Sequence, residues 1–143
     1  MNYEMLKLNN QLCFPLYACS REVIKKYKPF LDAIGLTYTQ YIVMMVLWDT
    51  KCINVKSLGE QLYLDSGTLT PMLKKMEVQG LVKRERDVKD ERNLIVTITE
   101  QGESLKAQAS DIPLQMRECI SLSADEAKML YQLLYKLLGQ ICE

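Results

Sequence analysis

The sequence contains no histidine among its 143 residues. Without histidine the chain cannot build a Ser-His-Asp triad or a Cys-His nucleophile pair. Zinc sites with mixed cysteine and histidine ligands are excluded for the same reason. Functions that need a histidine base or a histidine metal ligand are therefore excluded for this chain.

Long apolar runs are also missing. No stretch of 18 or more consecutive apolar residues occurs, and the N-terminus lacks the pattern of a secretory signal peptide. We therefore expect a soluble, cytoplasmic protein without membrane contact. The sequence has no internal repeat or low-complexity linker, and 48% of its residues are hydrophobic, which is enough for a core. One domain over residues 1–143 is the expected organisation.

The cysteine pattern matches neither a metal site nor a disulfide scaffold. The chain has five cysteines, an odd number, at irregular spacings and with no Cys-x-x-Cys pair. We therefore expect no zinc site, no secreted disulfide framework and no cofactor. The five are Cys13, Cys19, Cys52, Cys119 and Cys142.

The formal net charge is zero, but the charge is unevenly placed. Residues 74–92 carry seven basic and five acidic side chains, a local charge of +2. Residues 100–143 carry four basic and seven acidic side chains, a local charge of −3. Such a molecule can present one face to phosphate while its total charge stays near zero.

Residues 55–98 have the pattern of helix, turn, helix and two-stranded ribbon, which predicts a winged helix-turn-helix DNA-binding unit. The first helix covers Val55–Leu62, with Asn54 or Ser57 as its cap. The second helix starts at either Asp65-Ser66 or Thr70-Pro71, since both are good starts. The ribbon tip carries charges of both signs. A folding unit with a solvated tip is the alternative interpretation.

Apolar residues at helical spacing predict a long first helix over residues 3–28, ended by Pro29. Pro15 leaves two possibilities. Inside the helix it would remove a backbone donor and kink the helix. Near a helix start it would place Cys13 close to the positive end of the helix dipole. Apolar groups on two faces of this helix indicate burial on two sides, which a dimer interface would supply.

Four more helices are predicted, so the fold class is mainly α with a small β-wing. Ile53 and Asn54 are a candidate third strand of the wing sheet. We expect residues 3–34 and 100–143 to form a helical dimerisation region. The four helices cover residues 30–35; Tyr38–Thr50, capped by Thr37; Thr99 to about Cys119, perturbed by Pro113; and a last helix opened by a capping box at Ser123.

Five segments follow one another in an order that is typical of a known family. They are Asn10-Gln11-Leu12-Cys13-Phe14; Tyr17 with Ser20-Arg21; Gly35-Leu36-Thr37-Tyr38-Thr39-Gln40-Tyr41; Leu64-Asp65-Ser66-Gly67-Thr68-Leu69-Thr70-Pro71; and Asp90-Glu91-Arg92. Together they resemble the organic-hydroperoxide-sensing repressors of the MarR family over about residues 4–110. The resemblance implies a MarR-like homodimer with intertwined first and last helices, whose two winged helices bind a palindromic operator in double-stranded DNA.

The resemblance also implies roles for the DNA-binding residues. Asp90 would orient Arg92 in the minor groove, because a narrow A·T-rich groove concentrates negative potential. Arg84 and Arg86 would contact phosphates, which position the protein without specifying sequence. The earlier start of the second helix, at Asp65-Ser66, is also favoured by the resemblance. The expected contact set is Ser66, Thr68, Thr70, Lys74, Lys75, Arg84, Arg86, Asp90 and Arg92.

The resemblance implies a peroxide sensor at Cys13. A thiolate attacks a peroxide, and hydrogen bonds from phenols favour the charged sulfur. Tyr27 and Tyr38 match the tyrosines that support the thiolate in the family, with Tyr17 nearby. An organic hydroperoxide would convert Cys13 to a sulfenic acid, which condenses with a second thiol. That thiol is either Cys119 of the partner subunit or, as in some family members, a small thiol.

Three alternatives stand beside the peroxide sensor. Cys13 as a buried structural cysteine is one, and Cys13 as the lining of a pocket for a small lipophilic ligand, in a MarR-type regulator, is another. A thiol peroxidase is the third. Such enzymes usually alternate strands and helices as in thioredoxin, and this chain does not show that pattern. We therefore expect that the protein is not an enzyme.

Overall fold

The computed structural model describes residues 1–142, and within them the chain forms seven α-helices and one three-stranded sheet. Glu143, the last residue of the expected dimerisation region, lies outside the described residues. The helices are α1 Cys13–Asp32, α2 Tyr38–Thr50, α3 Val55–Leu62, α4 Ser66–Val78, α5 Glu100–Ala109, α6 Ile112–Cys119 and α7 Ala124–Ile141. The strands are β1 Cys52–Asn54, β2 Val82–Arg86 and β3 Leu94–Ile98.

The first helix differs from the prediction at both ends. Two short 3₁₀ turns, Glu4–Leu6 and Leu8–Asn10, precede α1, so the predicted start at residue 3 is wrong. Pro15 is the third residue of α1, where the backbone N–H has no partner within the helix in any case. Of the two possibilities for Pro15, the structure therefore shows the helix start.

The C-terminal end of α1 continues past Pro29, where the sequence predicted a stop. The separate helix predicted over residues 30–35 is also wrong, because its first residues are the last turn of α1. Burial explains the difference: Leu31 is 2% exposed and belongs to the core. The buried contact compensates for the one hydrogen bond that proline removes. The Leu36 N–H then donates to the Leu31 carbonyl over 3.0 Å and closes the helix end.

Helix α2 forms the centre of the core. Most of its residues are apolar, and seven of its thirteen residues are buried. Val43, Met44 and Leu47 have no exposed surface. The predicted cap at Thr37 is confirmed: its side chain accepts a hydrogen bond from the Gln40 N–H over 3.2 Å.

The helix-turn-helix has two polar caps. Asn54, not Ser57, caps α3, since its side-chain oxygen accepts from the Ser57 N–H over 2.7 Å. Asp65 caps α4 by accepting from the Thr68 N–H over 2.8 Å, which confirms the earlier of the two predicted starts. The turn between the helices needs a glycine at position 59, because a Cβ there would lie 2.6 Å from the Leu64 carbonyl oxygen.

The wing is an antiparallel sheet in the order β1-β3-β2. The predicted third strand is confirmed as β1, which pairs Ile53 with Val96. Strands β2 and β3 pair from Val82 with Ile98 out to Arg86 with Leu94. The tip is closed by the Asp87 N–H, which donates to the Asn93 carbonyl over 2.9 Å. The predicted winged helix-turn-helix is thus present.

The predicted helix from Thr99 to Cys119 is broken into α5 and α6. Thr99 caps α5 as predicted, through the Gly102 N–H. Pro113 lies in the first turn of α6 and has no N–H for the Ala109 carbonyl, which favours the break observed between the two helices. The predicted capping box at Ser123 is confirmed and opens α7. Helix α7 has no buried residue, although much of it is apolar.

Candidate functional site

Helix α4 presents a polar face to solvent and an apolar face to the core. Leu69, Leu73 and Met76 are at most 1% exposed and fix the orientation of the helix. The opposite face begins directly at the Asp65 cap, so its short polar residues lie at the helix N-terminus. Of the predicted contact residues on α4, Thr70 is half-buried and four are exposed: Ser66, Thr68, Lys74 and Lys75.

The wing tip holds Arg92 in a defined position. Its side chain is 91% exposed, yet its Nε donates to Asp90 Oδ1 over 3.1 Å. The Arg92 backbone N–H donates to the same oxygen over 3.1 Å. These side-chain and backbone hydrogen bonds from Arg92 lower the pKa of Asp90 below its ordinary value. Asp90 thus orients an otherwise solvated guanidinium.

Arg84 is held differently from Arg86. Its side chain is only 19% exposed, and its Nη2 lies 3.2 Å from Glu77 Oε1. The Arg84 backbone N–H also donates to Glu77 Oε2 over 2.8 Å. That backbone hydrogen bond, together with the guanidinium, lowers the pKa of Glu77. Arg84 therefore ties β2 to the last turn of α4, whereas Arg86 is exposed and carries no ion pair among residues 1–142.

A cleft of about 370 Å³ runs between α3, α4 and the wing. None of the ten residues that line it is acidic. Lys56 was not among the predicted DNA-contacting residues, although its place in the first turn of the capped helix α3 was a usable signal. Such a cleft concentrates positive potential at one place on a chain with no net charge. Its five basic side chains are Lys56, Lys74, Arg84, Arg86 and Arg92.

Cys13 is the first residue of α1 and is exposed. Tyr17 follows one helical turn later, so the two side chains lie on the same face of α1. The Tyr17 hydroxyl accepts a hydrogen bond from Arg21 Nη1 over 3.2 Å, and the guanidinium lies 5.5 Å from the ring centroid. Cys119 is the last residue of α6 and is also exposed. The interpretation of Cys13 as a buried structural cysteine is wrong for this chain taken alone.

Tyr27 and Tyr38 pack together at the other end of α1. Their ring centroids are 4.9 Å apart, and Tyr41 joins them at 5.9 Å from Tyr27. Burial raises the pKa of all three phenols above an ordinary value that already leaves them protonated at neutral pH. Fourteen residues of helix separate Cys13 from Tyr27, a rise of about 21 Å. One chain therefore cannot bring these tyrosines to its own Cys13.

Comparisons with known proteins place this geometry in a family. The family model described as "Transcriptional regulator SarA/Rot" matches residues 25–109. The chain is 51% identical over 136 residues to the organic hydroperoxide resistance transcriptional regulator of Bacillus subtilis, covering 95% of this chain and 92% of that relative. The chain belongs to the MarR-type family of organic hydroperoxide resistance transcriptional regulators.

Solved structures from this regulator family have the same fold. Reduced AbfR bound to DNA is 38% identical with a TM-score of 0.79, and the match covers 100% of both chains. The disulfide form of AbfR is 36% identical with a TM-score of 0.68, over 98% of this chain and 96% of that one. AbfR is a protein of Staphylococcus epidermidis. The predicted MarR-like fold is thereby confirmed.

Neither a metal-ligand cluster nor a membrane-spanning helix is present in residues 1–142 of this regulator. No group of three or more cysteine, aspartate or glutamate side chains within residues 1–142 is arranged to hold a metal. None of the helices in the same range combines the length and hydropathy that a membrane span requires.

Proposed function

We propose that this regulator is a homodimeric repressor that releases its operator when an organic hydroperoxide oxidises Cys13. The observation that carries the proposal is the exposed thiol of Cys13 at the N-terminus of α1, in a chain that is half identical to an organic hydroperoxide resistance regulator.

A second copy of the chain supplies the missing cover for α7. Six large apolar or aromatic side chains of α7 are exposed, and those of α1 form a second uncovered surface. Burying apolar surface is worth roughly 25 cal/mol per Å², so two such helices gain by packing against their symmetry copies. We propose that α1, α6 and α7 form the dimer interface. The exposed side chains of α7 are Met129, Leu130, Tyr131, Leu133, Tyr135 and Ile141.

The sensor site is then built across the dimer. Since about 21 Å of helix separates Cys13 from Tyr27 in one chain, the supporting tyrosines come from the other subunit. An α1 helix that lies antiparallel to its copy brings Cys13 of one subunit to Tyr27 and Tyr38 of the other. Tyr17 completes the site from the same helix as Cys13.

The oxidation of Cys13 proceeds in two steps. The Cys13 thiolate attacks the distal oxygen of the hydroperoxide, an S–O bond forms, the O–O bond breaks, and the alkoxide leaves as an alcohol after taking a proton. The product is a sulfenic acid. The thiolate of Cys119 of the partner subunit then attacks that sulfur, an S–S bond forms, the S–O bond breaks, and the hydroxide leaves as water after taking a proton from solvent. Disulfide formation in AbfR, a relative 36% identical to this chain, supports the second step.

DNA binding uses helix α4 and the wing. We propose that Ser66, Thr68 and Thr70 face base edges in the major groove, with Arg92 in the neighbouring minor groove. Lys74, Lys75, Arg86 and Lys56 contact phosphates around the basic cleft. Asp90 orients Arg92, and Arg84 holds the wing against α4. Two such units in the dimer meet a palindrome with half-sites about 34 Å apart.

The test is a binding assay on the protein in its two redox states. The probe is a fluorescein-labelled duplex selected by the reduced protein from a random library. Anisotropy is measured before and after one equivalent of cumene hydroperoxide, and the same samples are run on a non-reducing gel. We expect loss of binding together with a dimer band that dithiothreitol reverses.

Two matched variants separate the parts of the proposal. Cys13→Ser should bind the duplex as tightly as wild type and keep it after peroxide treatment. Cys119→Ser should still be oxidised but give no dimer band. Continued peroxide-induced release by Cys13→Ser would show that the sensor is another cysteine, and unchanged binding by oxidised wild type would overturn the redox switch.

A further inference from the structure

Gln40 is the one buried polar side chain among the residues that the structure describes, with 2% of its surface exposed. Its Oε1 accepts from the Thr37 N–H over 3.1 Å and completes the capping box of α2. The capping box uses only the carbonyl oxygen of the side chain. The remaining amide group donates from Nε2 to Gln79 Oε1, 39 residues along the chain, over 3.3 Å.

The two ends of this hydrogen bond lie in functionally different places. Gln40 stands in the first turn of α2 between Tyr38 and Tyr41, two members of the tyrosine cluster. Gln79 is the residue that ends helix α4. Its carbonyl oxygen accepts from Gln101 Nε2 over 3.2 Å, which also ties this point to α5. The pair therefore connects the tyrosine cluster to the end of the helix that carries the DNA-contacting face.

We propose that Gln40 and Gln79 form the mechanical link through which the sensor tyrosines set the position of helix α4. This inference rests on the proposed function and adds the route between its two sites. When oxidation at Cys13 displaces the tyrosines, the first turn of α2 moves with them. Gln40 then carries the end of α4 along through its amide.

The burial of Gln40 explains why the C-terminal end of α4 should move together with the first turn of α2. An amide donor that is buried and loses its partner is left unsatisfied, which is strongly unfavourable. Leu69, Leu73 and Met76 pack tightly along one face of α4, so we expect a displacement of its C-terminal end to be transmitted along the helix. Gln40 and Gln79 are thus positioning residues, because they act through α4 and do not touch DNA or peroxide.

The test changes the acceptor on Gln79, which is exposed and therefore tolerant of substitution. Gln79→Met keeps the length of the side chain and removes the acceptor oxygen. Gln79→Glu keeps an acceptor for the Gln40 amide and serves as the conservative rescue. The control is Gln108→Met, at an exposed glutamine of α5 that makes no side-chain hydrogen bond within the described residues.

The measured quantity is the Kd for the selected duplex after treatment with one equivalent of cumene hydroperoxide, divided by the Kd of the reduced protein. Mass spectrometry confirms that Cys13 is equally oxidised in every variant. For Gln79→Met we expect this ratio to fall at least fivefold below wild type, with the reduced Kd within threefold of wild type. Gln79→Glu and Gln108→Met should keep the wild-type ratio. A general loss of helix stability would change the Kd of both redox states and cancel in the ratio. The ratio therefore reports the coupling between Cys13 oxidation and DNA binding.

The outcomes separate the link from the proposed function. If wild type releases DNA on oxidation and Gln79→Met has the same Kd ratio, the Gln40–Gln79 link is overturned and the redox switch stands. An equal fall in the ratio for Gln79→Glu would also overturn it, because the acceptor would then be irrelevant. Wild type that keeps its DNA when oxidised would overturn the redox switch and the link together. Should Gln79→Met be poorly folded, Gln79→Ala provides the same test.

Discussion

Arg84 and Arg86 lie two residues apart on β2 but should respond differently to removal. Arg86 is exposed and without an ion pair among residues 1–142, so its guanidinium is available to a phosphate. Arg84 is occupied by Glu77 through its side chain and through its backbone N–H. We therefore predict that Arg86→Ala lowers the salt dependence of DNA binding, whereas Arg84→Ala weakens binding at every salt concentration with little change in that dependence.

The magnitude follows from counterion release. Each phosphate contact contributes about 0.9 to the slope of log K against log salt, and a homodimer carries two copies of each arginine. Arg86→Ala should therefore reduce the magnitude of the slope by about 1.8. Over a fourfold increase in salt, from about 50 to about 200 mM, the advantage of wild type over this variant should shrink roughly 12-fold. Lys56→Ala should behave in the same way as Arg86→Ala.

The assay is fluorescence anisotropy with the selected duplex at five salt concentrations, all with reduced protein. Thermal melts of each variant check that the wing remains folded. If Arg84→Ala reduced the slope as much as Arg86→Ala, the Glu77–Arg84 pair would have to open on DNA, and the positioning role of Arg84 would be refuted. Equal slopes for wild type and Arg86→Ala would remove Arg86 from the DNA interface.

Three other expectations follow from single contacts. Asp90→Ala should weaken DNA binding roughly threefold to tenfold per half-site, since Arg92 must then be immobilised on binding; a titration that matches wild type would contradict this. Gly102→Ala should destabilise the fold by about 1–3 kcal/mol, because the new Cβ would overlap the carbonyl oxygen of Leu81. Chemical denaturation measures this loss, and unchanged stability would contradict the close contact between Gly102 and Leu81. Tyr38→Phe should make the loss of stability above about pH 10 shallower. Burial raises the pKa of this phenol above its ordinary value of 10.0, so the folded state keeps a proton that the unfolded state gives up as pH rises. The same fall in melting temperature for wild type and variant between pH 9 and pH 11 would exclude this effect.

Local chemistry accounts for what could be predicted from the sequence. The caps at Thr37, Asp65, Thr99 and Ser123 lie where their side chains reach N–H groups three residues ahead, so a short window contains both partners. The same holds for the Asp90–Arg92 pair at the wing tip. The order of elements in the winged helix-turn-helix could therefore be predicted with no tertiary information.

Contacts between distant residues explain what could not be predicted. The continuation of α1 past Pro29 depends on burial of Leu31, which no local pattern reveals. The hydrogen bond from Gln40 to Gln79 could not be predicted, because the two residues are 39 positions apart. Arg84 had the sequence context of any wing cation, and only its contact with Glu77 in the folded chain distinguishes it from Arg86.

The distance between Cys13 and Tyr27 along α1 has a genetic consequence. If each sensor site takes its cysteine from one subunit and its tyrosines from the other, a Cys13→Ser chain and a Tyr38→Phe chain are each insensitive on their own. Mixed in one cell, they form heterodimers in which one site has lost both contributions and the other has kept both. Two defective alleles should therefore complement each other, and peroxide sensitivity should return in about half of the dimers when the chains associate at random.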